Sequence, residues 1–175
     1  DDESTDVYTS QLALDLTGPV DADRLREAAR AMLDQHANLR AGFRQTPDGR
    51  WLQVVPGPVP MPFRTVDVSS FGAPEDEARA IAEHERAVPF DLRRPPLLRW
   101  VLVRLGEDRH RLILTNHHIL LDGWSMPVLF TQMFAHYRRA IGVADPVPGI
   151  AVPAPYRDYL SWLAGADREA AEAAW

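Results

Sequence analysis

The segment between residues 109 and 141 places the strongest constraint on the fold of this chain. Its first part, Arg111-Leu112-Ile113-Leu114-Thr115, is an apolar run typical of a buried strand. Further on, apolar and aromatic side chains recur at helical spacing, at Phe130, Met133, Phe134, Tyr137 and Ile141. A strand on one side and a helix on the other would hold residues 116–125, the segment between them, on a rigid support.

A pair of adjacent histidines lies at this junction, which reads Asn116-His117-His118-Ile119-Leu120-Leu121-Asp122-Gly123-Trp124-Ser125. Neighbouring residues of an extended chain point to opposite faces, so we expect one histidine to be buried or structural and the other displayed. Histidine exchanges protons near neutral pH. The pair, the apolar turn and the following Asp-Gly together favour a functional role for His118 over that of an ordinary core or surface histidine.

Asp122 and Gly123 could each have either a structural or a functional role. We expect Asp122 to act first as a helix N-cap, since aspartate accepts hydrogen bonds from the free N–H groups of a first helical turn; direct support of the chemistry is the alternative. Gly123 either forms a tight turn or lets a ligand approach the backbone. No metal site is expected, because zinc takes three or four converging ligands, the chain has no cysteine and adjacent histidines diverge.

Other segments have clear secondary-structure patterns. Asp21 is a good N-cap for a helix whose apolar face runs from Leu25 to His36. Two strands, 39–44 and 51–55, are expected to form a hairpin across 46–49. The mixture of strands, hairpins and helices indicates an α/β two-layer sandwich.

The junction resembles the His-His-x-x-x-Asp-Gly core motif of the condensation domains of nonribosomal peptide synthetases. Three further segments are similar to motifs of that family and occur in the family's order. They are 35–43, which shares His36, Leu39, Arg40 and Phe43 but departs at Gln35 and Ala41; Pro89-Phe90-Asp91-Leu92 with Pro96-Leu97-Leu98-Arg99; and Tyr156-Arg157-Asp158-Tyr159 with Trp162. The double-histidine motif alone is less specific, because related acyltransferases share it.

The resemblance implies a chloramphenicol acetyltransferase-like lobe with a mixed sheet and flanking helices. A complete condensation domain has two such lobes with a tunnel between them. Residues 1–175 are therefore expected to be the N-terminal lobe only, without the second lobe and without the family's first N-terminal motif. An isolated lobe is expected to be inactive, because half a tunnel cannot exclude water, and its exposed lobe interface predicts self-association.

The activity implied by the resemblance is amide bond formation between a donor peptidyl or aminoacyl thioester and an acceptor aminoacyl thioester. Both substrates are carried on the 4'-phosphopantetheine of carrier proteins, and no directly bound cofactor is expected. His118 is the expected catalytic residue, which positions the amine or accepts its proton. His117, Asp122, Gly123 and Arg40 are expected to support the site, with the Gly123 N–H as a candidate oxyanion donor.

Arg40 is expected to form a structural ion pair, with Asp122 as its candidate partner, because a buried carboxylate favours a bidentate cation. Trp124 and Ser125 are candidates for the substrate channel. Residues 119–127 resemble a condensation rather than an epimerization domain, and they resemble the subtype that takes a donor ending in a D-configured residue.

Composition restricts the partners. The net charge of -6 argues against nucleic acid, and no apolar run reaches transmembrane length. The expected partners are donor and acceptor peptidyl carrier proteins, the second lobe and adjacent synthetase domains, all in the cytoplasm. The alternatives are an epimerization domain, a stand-alone O-acyltransferase that uses a soluble thioester, and a non-catalytic module that docks carriers or other partners.

Overall fold

The computed structural model of the chain describes residues 7–143 and 154–166. The strands and helices follow one another in a mixed order, as the sequence predicts. They are β1 (Thr9–Thr17), α1 (Ala22–Gln35), a 3-10 turn (Ala37–Arg40), β2 (Gly42–Gln45), β3 (Trp51–Val54), β4 (Phe63–Asp67), α2 (Pro74–Ala87), β5 (Leu98–Arg104), β6 (Arg109–His117), α3 (Ser125–Ala140) and α4 (Tyr156–Ala164).

The strand that carries the histidines lies inside a four-stranded mixed sheet with the order β1-β6-β5-β4. β6 is antiparallel to both of its neighbours, and β4 is parallel to β5. Leu112 and Leu114 belong to the core on one face of the sheet, whereas Ile113 belongs to the core on the other. Burial on both faces explains why β6 is a continuous apolar run rather than an alternating one.

Helices flank both faces of this sheet, which confirms the mixed sheet with flanking helices. α1 and α3 pack on one face through buried side chains that include Leu25, Met32 and Met133, while α2 covers the other face near Val101. The predicted cap of α1 is confirmed: Oδ1 of Asp21 accepts hydrogen bonds from the main-chain N–H groups of the second and third residues of the helix. Among the described residues, no helix has the length and apolar content needed to cross a membrane.

The predicted hairpin forms, but it begins later than expected. Leu39 and Arg40 belong to the 3-10 turn rather than to β2. The turn forms because the Leu39 side chain is buried in the main core, and because the Ala41 N–H donates to the Asn38 carbonyl at 3.0 Å. β2 and β3 form a separate two-stranded sheet in which Phe43 pairs with Gln53.

β2 lies close to the segment that precedes β5. The Phe43 N–H donates to the Leu92 carbonyl at 2.7 Å. A Cβ atom on Gly42 would lie 2.9 Å from Cδ of Pro95 and 3.2 Å from the Leu92 carbonyl oxygen. Glycine at position 42 therefore permits a contact that holds the hairpin against the body of the fold.

We expect Gly42→Ala to destabilise the chain by about 1–3 kcal/mol, the usual cost of forcing an extra carbon into a packed contact. Urea unfolding gives the change. Gly72→Ala is the matched control, since a Cβ atom at position 72 meets no heavy atom within 4 Å. Equal midpoints for the two variants would show that β2 does not depend on this close approach.

Candidate active site

The two histidines diverge at the end of β6, as the sequence predicts. His117 is buried, with 8% of its surface exposed, and its ring stacks against Tyr8 with centroids 5.9 Å apart. The His118 side chain is exposed. The His118 N–H still donates to the Tyr8 carbonyl at 2.7 Å. Backbone pairing with the start of the chain therefore fixes the position from which the His118 ring is presented.

His117 shapes the turn that follows the strand. Its Nδ1 accepts a hydrogen bond from the Ile119 N–H at 3.1 Å, so Nδ1 is unprotonated in this geometry. Its carbonyl accepts from the Leu120 N–H at 3.1 Å, and its own N–H donates to the Leu97 carbonyl at 2.9 Å. These bonds close the chain around His117 and direct residues 118–121 out of the sheet.

His118 lies in an open cavity of about 510 Å³ between four parts of the structure: the 3-10 turn, the β2–β3 hairpin, the 118–125 loop and α4. The cavity walls combine apolar and polar side chains, among them Asn38, Phe43, Gln53, Tyr156 and Leu160. A second cavity of about 290 Å³ contains His36 and Trp124. The residues common to both cavities are Asn38, Leu121, Asp122 and Ser125.

Asp122 is not the N-cap residue that the sequence predicts, because α3 begins at Ser125 and Trp124 occupies the N-cap position. Its side chain instead braces the turn that leads into α3. Its Oδ1 accepts from the Ser125 N–H at 2.8 Å and from the Ser125 hydroxyl at 2.6 Å. The Ser125 hydroxyl and N–H hold the pKa of the Asp122 carboxyl below its usual value. The carboxylate is therefore ionised at neutral pH and stabilises the start of the helix that follows the histidines.

The expected ion pair between Arg40 and Asp122 is not formed in the described part of the chain. Nη1 of Arg40 donates to the Leu33 carbonyl, and also to the Asp34 carbonyl at 3.1 Å. The last carbonyl groups of a helix lack donors within the helix and favour a nearby cation, so Arg40 stabilises the end of α1. Asp122 is already occupied by Ser125.

The three remaining residues predicted for the site, Gly123, Trp124 and Ser125, do not all line the His118 cavity. Gly123 is exposed, its φ angle is not positive, and a Cβ atom there would meet no heavy atom within 4 Å. The described residues thus impose no steric requirement for glycine at position 123. Trp124 is 88% exposed and lines the cavity of His36, not that of His118, while Ser125 borders both cavities.

Sequence analysis missed several contributors to the site. Nε2 of His36 lies 2.6 Å from Oε1 of Gln132, and this contact joins the end of α1 to α3. His36 is therefore a half-buried residue that links two helices. Asn38 and Gln53 enter the His118 cavity through folding, and the only sequence signal for Asn38 was its place between the shared His36 and Arg40. No cluster of metal-binding side chains occurs within residues 7–143 and 154–166.

Replacement of Asp122 with alanine tests the role of its side chain. Asp122→Ala removes the side-chain acceptor of the Ser125 N–H and leaves it only the main-chain carbonyl of residue 122, at 3.2 Å. We therefore expect amide hydrogen exchange at Ser125 and Met126 to become severalfold faster, while the central amides of β6 stay unchanged. Asp122→Asn keeps an acceptor oxygen and should exchange at nearly the original rate. Unaltered exchange in Asp122→Ala would show that α3 starts without help from this side chain.

Comparison with known proteins agrees with this geometry. The family model described as the condensation domain matches residues 2–175. The chain therefore belongs to the condensation domain family. A linear gramicidin synthase polypeptide of Brevibacillus parabrevis is 37% identical over 173 residues, which are 96% of this chain and 2% of that protein. Cyclosporin synthetase simA of Tolypocladium inflatum is 38% identical over 156 residues, which are 89% of this chain and 1% of that protein.

Solved structures show the same fold. The first condensation domain of the calcium-dependent antibiotic synthetase, in complex with a substrate analogue, has 29% identity and a TM-score of 0.77; the match covers 91% of this chain and 39% of that one. The starter condensation domain of rhizomide synthetase has 20% identity and a TM-score of 0.80, and it supports the fold alone. The chain thus spans well under half the length of these structures and a few per cent of the curated relatives.

Proposed function

We propose that this chain provides the histidine-bearing lobe of a domain that joins two carrier-bound substrates through an amide bond. The observation that carries the proposal is the exposed ring of His118 in an open cavity at the end of a buried strand. Its neighbour His117 is buried and bonded to the turn. Of the two motif histidines, only His118 is thus presented to an incoming substrate.

In the proposed reaction, the α-amino nitrogen of the acceptor attacks the carbonyl carbon of the donor thioester. The C–N bond forms, the C–S bond breaks, and the donor arm leaves as a thiol after it takes up a proton. His118 holds the amine in position and accepts the proton that the nitrogen loses as the tetrahedral intermediate collapses. Strong basicity is not required, because a free α-amino group has a pKa of about 8 and is partly neutral at neutral pH.

The proposal also includes a hydrogen-bond donor that stabilises the negative charge on the carbonyl oxygen of the donor thioester during the reaction. The Gly123 N–H is the candidate donor to the oxyanion, since it lies in the exposed loop that leads into α3. The open space around a Cβ atom at this position agrees with close approach of a substrate to the backbone. Ser125 and Asp122 hold the loop, and Trp124 and Ser125 remain the proposed channel residues.

The proposed partners are the 4'-phosphopantetheine arms of a donor and an acceptor carrier protein, a second lobe that completes the tunnel, and neighbouring synthetase domains. Membership of the condensation family and the names of the synthetase relatives support them. A cytoplasmic location, self-association of the chain and a D-configured donor stay predictions of the sequence.

A comparison of substrates tests the proposal in the intact protein that contains this chain. Donor and acceptor are supplied on carriers, then on small soluble thioesters, and the donor carries either configuration at its terminal residue. We expect amide formation only when both amino acids are thioesters, with faster turnover from carriers. Deuterium incorporation at the donor Cα without amide formation would assign epimerization, turnover with an alcohol acceptor would assign an O-acyltransferase, and carrier binding without turnover would assign a docking module.

A further inference from the structure

A buried carboxamide lies directly beside the two histidines. Asn116 precedes them on β6, and none of its surface is exposed. It pairs with Leu98 across the sheet, and both Leu98 and Leu114 belong to the main core. Paired residues of antiparallel strands share a face of the sheet, as do residues two apart along one strand. The Asn116 side chain therefore faces the same core as these leucines.

Only one half of this carboxamide has a hydrogen-bond partner. Nδ2 of Asn116 donates to the His117 carbonyl at 3.2 Å. Oδ1 is buried and accepts no hydrogen bond in the described part of the chain. The reverse orientation would set the amide oxygen against the carbonyl oxygen of His117, so the nitrogen is the atom that faces it. The fold thus contains a buried acceptor without a donor.

Asn116 weakens the fold at a position where an apolar residue would not. A buried polar atom without a partner costs stability, and this face of β6 is otherwise apolar at Leu112 and Leu114. Such a departure from the packing of a core is expected where a residue serves the site rather than the fold. Among the described residues, the His117 carbonyl is the one group that the Asn116 side chain bonds.

The hydrogen bond from Asn116 acts on the peptide group between the two histidines. The carbonyl of this group also accepts from the Leu120 N–H at 3.1 Å, and its N–H, which belongs to His118, donates to the Tyr8 carbonyl at 2.7 Å. The peptide group is therefore held on both sides. Because the His118 Cα is attached to it, the tilt of this group sets the direction of the exposed ring in its cavity.

The three groups that hold this peptide differ in how firmly they are themselves fixed. Tyr8 is 63% exposed and lies just before β1, and Leu120 belongs to the half-buried turn after β6. Exposed segments with few packed contacts open more easily than a core does. The Asn116 side chain, in contrast, is enclosed by close-packed residues. It is the link that ties the orientation of the peptide to the rigid core.

We propose that Asn116 is a positioning residue for His118: its carboxamide fixes the peptide group between the two histidines and thereby aims the His118 ring at the acceptor amine. The inference rests on the proposed function and deepens it, because the reaction assigned to His118 provides the rate that reports on Asn116. A misplacement of about 1 Å at a reacting group can cost about 10²-fold in rate, so a looser peptide group should have a measurable effect.

Asn116→Leu in the intact protein tests the proposal, because leucine resembles asparagine in size and branching but donates no hydrogen bond. We expect kcat for amide formation to fall about tenfold, with KM changed by less than about twofold. The unfolding midpoint should stay the same or rise, since the variant removes the unpaired Oδ1 and the His117 carbonyl keeps the Leu120 N–H. Amide hydrogen exchange at His118 and Leu120 should become severalfold faster, with no change at the centre of β6.

Thr115→Val is the matched control. Thr115 is the preceding residue of β6 and is 1% exposed, but its Oγ1 accepts from Gln11 at 2.8 Å, on the opposite face of the strand. Loss of this hydroxyl should change kcat by less than about twofold. Asn116→Val has a smaller side chain that suits a strand, and it should repeat the loss of kcat even if leucine is not accommodated.

An unchanged kcat in both Asn116 variants would overturn the proposal. A lower kcat together with a lower unfolding midpoint and faster exchange throughout β6 would also overturn it, because Asn116 would then act on the fold as a whole. If the unsubstituted protein forms no amide, the proposed function fails, and exchange at His118 decides the positioning role separately. Faster exchange there in Asn116→Leu supports that role, and unchanged exchange refutes it.

Discussion

His118→Ala should lower the rate of amide formation by about 10²–10⁴-fold in the intact protein, the usual contribution of a positioned acid–base side chain. The ring is exposed and lies outside the buried core, so its removal should leave the folded structure unchanged. Thermal unfolding and circular dichroism check that point. Steady-state product formation with both carriers loaded gives the effect on the rate.

The control for this variant is His84→Ala. His84 is also an exposed histidine, but it lies on α2, the helix on the opposite face of the sheet from α1 and α3. Its loss should change the rate less than twofold. His117→Ala should behave differently from both, because it removes the acceptor of the Ile119 N–H and leaves space against Tyr8; loss of activity should then accompany a lower unfolding midpoint. Full activity in His118→Ala would remove this ring from the mechanism.

Glu85→Gln should destabilise the fold by about 3 kcal/mol, because it breaks a buried charge network while its cations remain. The Glu85 side chain is 10% exposed, and it binds Arg64 through Oε1 at 2.8 Å and Arg99 through Oε2 at 3.0 Å. Burial lowers the pKa of Arg99, while Glu85 acts to raise it. Without the carboxylate, the partly buried guanidinium of Arg99 loses its compensating charge.

Urea unfolding of Glu85→Gln measures this loss, and Glu83→Gln is the control from the same helix. Glu83 is exposed, so its replacement should change the free energy of unfolding by less than about 0.5 kcal/mol. Equal stability of the two variants would show that the Arg64–Glu85–Arg99 network contributes nothing net.

Local patterns in the sequence were sufficient for the elements that hold the site. The apolar run of β6 and the helical spacing of Phe130 and Met133 predicted a strand–loop–helix unit. Such patterns are informative because the residues buried by a strand or a helix are apolar and recur at a characteristic spacing along the sequence. The Asp21 cap and the opposite orientation of His117 and His118 follow from equally local rules. Each of these predictions depends on residues only a few positions apart, and each is confirmed.

Contacts between residues that are far apart in the sequence could not be predicted in the same way. Arg40 had two competing acceptors, the end of α1 and Asp122, and only the folded chain shows that the carbonyl groups of α1 are within reach. The start of β2 was misplaced because Leu39 fits a strand pattern as well as a buried turn. Tyr156 and Gln53 approach His118 only through the packing of separate elements, and their spacing along the chain contains no sign of it.

The mass of the acceptor carrier after a single turnover tests the central claim most directly. The intact protein is mixed with a donor carrier that bears an isotopically labelled acyl group and an acceptor carrier that bears an amino acid. The account predicts that the labelled group appears on the acceptor carrier through a base-stable amide, and that His118→Ala leaves the acceptor mass unchanged over the same time. Loss of the label from the donor with no gain on the acceptor, or equal transfer by His118→Ala, would contradict it.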